Sequence, residues 1–155
     1  MEFELKSLDD QHYIYVERTV SMDGAEIANA MASGFGELFT FVGAQDVKPL
    51  NMPMSLYMAM PANGEMTFRA GVFVSPDDAA KADGDVKADI IPAGKAMTTT
   101  HVGPYANLNQ SHGALWNHVQ EQGLEGAMPV WEIYVDDPQQ IPEADVRTLL
   151  FRAVK

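Results

Sequence analysis

Residues 129–135 alternate in character around one carboxylate, Glu132. Successive strand side chains project to opposite faces. Trp131, Ile133 and Val135 therefore form one apolar set, and Val130, Glu132 and Tyr134 form the other. If the apolar set lies under helices, Glu132 and Tyr134 are expected on the open face. A carboxylate flanked by aromatic rings suits a cationic or polar aromatic ligand, because the charge fixes orientation and the rings add area and cation–π attraction. Residues 53–60 repeat the arrangement, with Leu56 and Met58 expected toward the helices and Ser55 and Tyr57 outward. Tyr57 and Tyr134 then make a pseudo-twofold pair, and Ser55 stands opposite Glu132. A strand glutamate is also a common solvated residue, and tyrosines are common half-buried sheet residues, so burial must decide. A partly buried carboxylate needs a partner or ligand, since desolvation disfavours its charged form.

Other chemistries find less support. His112 and His118 are six residues apart, which does not place them on one helix face, and no His pair at i, i+4 exists. His112 falls in an apolar stripe and reads as a core or helix–sheet contact. Gly34-Phe-Gly36 lies inside a helical pattern and lacks the other features of a phosphate cradle. No serine sits in a nucleophile-elbow context. With no cysteine, disulfides, thiolate metal sites and thiol nucleophiles are excluded. No metal or cofactor is expected. The ten methionines, among them Met52, Met54, Met58 and Met60, read as irregular core filling, with an adaptable ligand surface as the alternative.

The elements that position these residues occur twice. A shift of 77 places residues 27–61 on 104–138, with Gly36/Gly113, Leu38/Leu115, Val42/Val119, Gln45/Gln122, Tyr57/Tyr134 and Pro61/Pro138 identical. Ile27, Met31, Phe35, Leu38 and Val42 recur at helical spacing, as do Leu108, His112, Leu115 and Val119. Asp23 is placed to cap the first helix, and Gly103-Pro104 opens the second. Each helix is preceded by a strand (11–20, 95–102) and followed by two (53–60 and 66–74; 129–135 and 145–154), with turns at 61–64 and 136–138. The expected fold is α+β: a duplicated strand–helix–strand–strand (SHS2) unit forming one antiparallel sheet, two helices on one face and a concave ligand groove on the other. The whole chain, 1–155, reads as one domain, with repeat one at about 10–75, a linker at about 76–86 and repeat two at about 87–155.

Bulk properties narrow the function. A length of 155 residues suits one ordinary domain. The net charge of −12 and ten scattered basic residues argue against direct nucleic-acid binding, which needs clustered cations to neutralise phosphates. Acidity serves solubility or favours cationic partners. No run suggests a membrane span, and the acidic start, Met1-Glu-Phe-Glu-Leu, is unlike a secretory signal. A cytoplasmic location is expected.

The run Ile91-Pro-Ala-Gly-Lys-Ala-Met-Thr-Thr-Thr-His-Val-Gly-Pro-Tyr105 is followed by Leu115-Trp116 and then Trp131-Glu-Ile-Tyr-Val-Asp-Asp-Pro138. With Phe68-Arg-Ala-Gly-Val72 in the first half, this order resembles the GyrI-like family, the effector-binding domains of AraC- and MerR-type bacterial transcription activators. The resemblance covers nearly the whole chain and is more specific in the second half. It implies the duplicated fold with a ligand groove on the sheet. It also implies that Glu132 is the central acidic contact, often to cationic or amphiphilic aromatics, with Tyr134 and Tyr105 as further contacts. Tyr105 rests on this resemblance and on its place at the start of the second helix. Activators of this kind carry a helix-turn-helix domain as well. Lacking residues for one, the chain is expected to be similar to stand-alone members, whose roles include drug sequestration and antagonism of gyrase-directed toxins.

The leading expectation is a non-enzymatic, multidrug-type binding protein for small aromatic cations. A hydrolase of electrophilic small molecules is the enzymatic alternative, with Glu132 activating water and Tyr105 or Tyr134 stabilising the oxyanion. Contact with a protein partner, such as gyrase or a separate regulator, is a third reading, and haem binding, from the fold's likeness to SOUL proteins, is a fourth.

Overall fold

The computed structural model describes all 155 residues. They divide into two compact units: Asp10–Pro92, and Met1–Asp9 together with Ala93–Lys155.

In the unit 10–92, four antiparallel strands run in the order β3 (Met54–Tyr57), β4 (Glu65–Phe73), β2 (Gln11–Ser21), β5 (Lys87–Ile91). Helix α1 (Gly24–Ala44) begins where the side chain of Asp23 accepts the Glu26 N–H, so the expected cap is present. Its apolar stripe buries Leu38 against Ile14, Val16, Val72 and Val74, and packs Ala30 and Met31 over Phe68 and Ala70. Gly34 lets the helix approach closely, because a Cβ there would lie 3.2 Å from that of Ala70. Asn63 and Gly64 both take positive φ (56° and 74°), which closes the β3–β4 turn as its residues suggest.

The opposite face carries a charged cluster. Arg69 binds Glu17, Asp89 and the Tyr13 hydroxyl, and its guanidinium lies 4.2 Å above the Tyr15 ring.

Residues 76–86 are not a linker. They form the short helix α2 (Pro76–Ala79) and insert Ala79 and Val86 into the core beneath α1. The Asp/Ala/Gly composition concealed this because two small apolar side chains suffice to anchor the segment. The methionines also divide otherwise than expected: Met54 is buried, whereas Met52, Met58 and Met60 are exposed.

In the other unit the strand order is β1 (Phe3–Leu8), β6 (Gly94–Val102), β8 (Arg147–Val154), β7 (Gly126–Tyr134), again antiparallel. Helix α3 (Leu108–Glu121) buries Leu115 and Val119 against Met97, Leu150 and Val154. The edge strands β1 and β5 had no counterpart in the sequence reading. Their polar, exposed residues lack the alternation that marks a half-buried strand.

The facing of the two key strands is the reverse of that expected. Across β8, Glu132 pairs with Leu150 and Tyr134 with Thr148, and Leu150 packs under α3. Glu132 and Tyr134 therefore lie on the helix-covered side, while Trp131 stacks on Phe151 on the other. In β3, Ser55 pairs with Ala70 and Tyr57 packs against the Ala30–Phe68 cluster, so both lie on the α1 side. Met54 and Leu56, opposite Gly71 and Arg69, take the other face. Both faces of these strands are buried: Trp131 is 1% and Glu132 3% exposed. With both sides dry, polarity no longer reports which side a helix covers.

No helix is long and apolar enough to cross a membrane.

Candidate functional site

The site forms where the first turns of α3 cross β7. Alternation on β7 sends Glu132 and Tyr134 toward the helix, and helical spacing sends His112 down from the stripe that also carries Leu115 and Val119. The Tyr134 hydroxyl donates to Glu132 Oε1 at 2.6 Å, and His112 Nε2 donates to Glu132 Oε2 at 2.9 Å. Both oxygens of a carboxylate shielded from water thus have donors, as a buried charge requires.

Tyr105 begins the short 3-10 turn Tyr105–Asn107 that leads into α3. Its ring meets that of Tyr134 at 5.5 Å and 64°, an edge-on contact, and it is 40% exposed. Tyr105 therefore stands at the surface against the ring that donates to the carboxylate. Burial first, and then the negative charges of Asp137, Glu132 and Asp136, raise its phenol above the usual tyrosine range. A cavity of about 240 Å³ opens beside it, lined by Gly103, Pro104, Pro138, Glu143 and Val146 among others. On β8, the buried hydroxyl of Thr148 has no hydrogen-bond partner.

A second buried pair holds this turn. His101 Nδ1 lies 2.6 Å from Ser111 Oγ, and its Nε2 lies 3.0 Å from the Pro104 carbonyl. A carbonyl only accepts, so Nε2–H donates to it, and Nδ1 shares the other hydrogen bond with the Ser111 hydroxyl. The bond ties the segment before Tyr105 to α3. No cluster of His, Cys, Asp or Glu is arranged to hold a metal ion.

Three of the residues singled out from sequence, Glu132, Tyr134 and Tyr105, meet in one unit. Ser55 and Tyr57 belong to the other, where they lie beneath α1; Ser55 is fully buried and Tyr57 half-buried. His112 was missed as a site residue. Its signal was present, since an apolar stripe position points at the sheet, but it was paired with the wrong face of β7. The pairing of Ser111 with His101 carried no sequence signal, because nothing local connects them.

A family model described as "GyrI-like small molecule binding domain" matches residues 1–155. Among curated proteins none matches the sequence. Among solved structures, the chain is similar to EcmrR in an EcmrR–DNA complex, with 19% identity and a TM-score of 0.82. That match covers 99% of this chain and 57% of the EcmrR chain. The chain thus spans little more than half the length of that protein. It also resembles the EcmrR C-terminal domain (20% identity, 99% and 97% coverage, TM-score 0.79) and SAV2435 bound to tetraphenylphosphonium (18%, 100% and 94%, 0.68). These identities establish a shared fold.

Proposed function

Because this chain belongs to the GyrI-like small-molecule-binding family, we propose that it captures small aromatic cations beneath α3, with Glu132 as the counter-charge. The observation that carries this is the Glu132 carboxylate, 3% exposed, set between the Tyr134 hydroxyl and His112, with the partly exposed Tyr105 ring packed edge-on against Tyr134. A buried negative charge costs several kcal/mol to desolvate, so a ligand that brings a positive charge and ring surface recovers much of that cost. Tetraphenylphosphonium, the ligand held by SAV2435, is a permanent cation of the same class. Ser55 and Tyr57 hold the repeat-equivalent positions under α1 and are the next ligand candidates to substitute. A reducing, cytoplasmic setting suits a chain without cysteine.

Titration of wild type and Glu132→Gln with planar cationic, neutral and anionic aromatics, read by tryptophan and tyrosine fluorescence, tests the proposal. Cation-selective binding in wild type that falls at least tenfold in Glu132→Gln is the expected result. Equal binding by both proteins overturns it.

One observation favours a second reading. A carboxylate between a phenol and an imidazole can accept and return a proton, as hydrolysis requires, and a further structure of similar fold (14% identity, TM-score 0.66) is a hydrolase encoded by lin2189 from Listeria innocua. Chromatography of the same mixtures separates the two readings, since only hydrolysis yields a product.

A further inference from the structure

We infer that His112 is an internal cation that competes with the ligand for Glu132, so that cation capture weakens as the medium becomes acidic. The inference rests on the proposed ligand class and concerns the regulation of that same site.

His112 Nε2 donates to Glu132 Oε2 at 2.9 Å, the position a cationic ligand must approach. The imidazole side chain is 20% exposed against 4% for the carboxylate. The ring is therefore the more accessible of the two groups to solvent. When the ring carries two protons, it forms a neutral pair with Glu132, and an incoming cation meets a positive charge already in place. When the ring carries one, the N–H still orients the carboxylate, but the site keeps its negative charge and attracts the ligand. Histidine is suited to this because its ordinary titration lies near pH 6.5, within reach of small changes in the medium.

The other ionisable groups around the ring do not substitute for it. From β7, Tyr134 donates to the same carboxylate. From the turn before α3, Tyr105 has its phenol pushed upward, so it stays neutral near pH 7. From β6, His101 is engaged by Ser111 and the Pro104 carbonyl. From β8, Arg152 lies over Trp116, and although burial lowers its pKa it remains charged throughout. On α3 itself, His118 stacks on Phe3 at the far end. Asp136, beyond β7, is paired with Arg147.

The test uses tetraphenylphosphonium, whose own charge does not change with pH. Its Kd is measured by calorimetry from pH 5.5 to 8 for wild type, His112→Gln and His112→Asn, in buffers of different ionisation enthalpy. The expected wild-type Kd rises as the pH falls across this range, by up to about tenfold per pH unit, with close to one proton released per ligand bound at the acid end. The His112→Gln variant keeps an N–H donor without the charge, so its Kd is expected to stay flat across this pH range. The His112→Asn variant serves the same purpose if Gln disturbs the helix, and proton release in wild type needs no variant. A wild-type profile that the His112 variants reproduce overturns the inference while leaving the proposed function standing. Failure of wild type to bind the cation at any pH, or binding unchanged in Glu132→Gln, overturns the proposed function and the inference with it.

Discussion

Arg152 lies with its guanidinium carbon 4.5 Å from the centroid of the Trp116 ring, joining β8 to α3. The ring fills the space over Gly126, where an added Cβ would come within 2.3 Å of a Trp116 ring carbon. The close approach of helix and sheet beside the site thus depends on a residue with no side chain at position 126. Burial lowers the Arg152 pKa without discharging it, so the indole face serves as part of its solvation.

Gly126→Ala is therefore expected to displace the Trp116 ring and destabilise the protein by about 1–3 kcal/mol, the usual cost of overpacking. Chemical denaturation gives the loss, and a changed tryptophan emission spectrum in the folded state reports the ring's movement. An unchanged spectrum and midpoint would contradict the close packing.

Tyr134→Phe removes the 2.6 Å donor to Glu132 Oε1 and leaves a buried carboxylate oxygen without it. Hydrogen bonds to charged groups contribute about 1.5–3 kcal/mol, so a loss of that size is expected at pH 7. In the Glu132→Gln background the same substitution should cost clearly less. Additive losses in the double-mutant cycle would show that the two side chains are not coupled.

Acid should loosen β5 before the rest of its unit. Burial raises the Asp89 carboxyl, but the hydrogen bond and charge of Arg69 outweigh this and hold it below the usual carboxylate range. A depressed folded pKa contributes stability that is present above the unfolded value, near 3.8, and is lost as pH falls through the folded one. Amide exchange monitored across Lys87–Ile91 should show protection falling in that window, and Asp89→Asn should remove the pH dependence. Loss of protection uniform over the unit would argue against a local effect.

Asp23→Ala deletes the side-chain oxygen that accepts the Glu26 N–H at the start of α1. A loss of about 0.5–2 kcal/mol is expected, as for other N-caps, and Asp23→Ser should restore most of it. Thermal unfolding by circular dichroism measures both.

The sequence by itself determined the duplicated helix-and-strand pattern, the capped start of α1, the β3–β4 turn and the alternation that sets Glu132 and Tyr134 on one face, while Tyr105 entered through the family resemblance. These are local properties: helical spacing, a cap three residues from its donor, two residues tolerant of positive φ, and a lone carboxylate in an apolar run. Tertiary structure decided which face of β7 meets α3, and so made Glu132 a buried partner of His112 rather than an open-face residue. Period-two alternation separates two faces without naming either, and it loses its last clue where both are buried. The pairings of His101 with Ser111, ten residues apart, and Arg69 with Tyr13, 56 apart, were likewise beyond local reading. Each is created only when strand register and helix packing bring distant segments within hydrogen-bond reach.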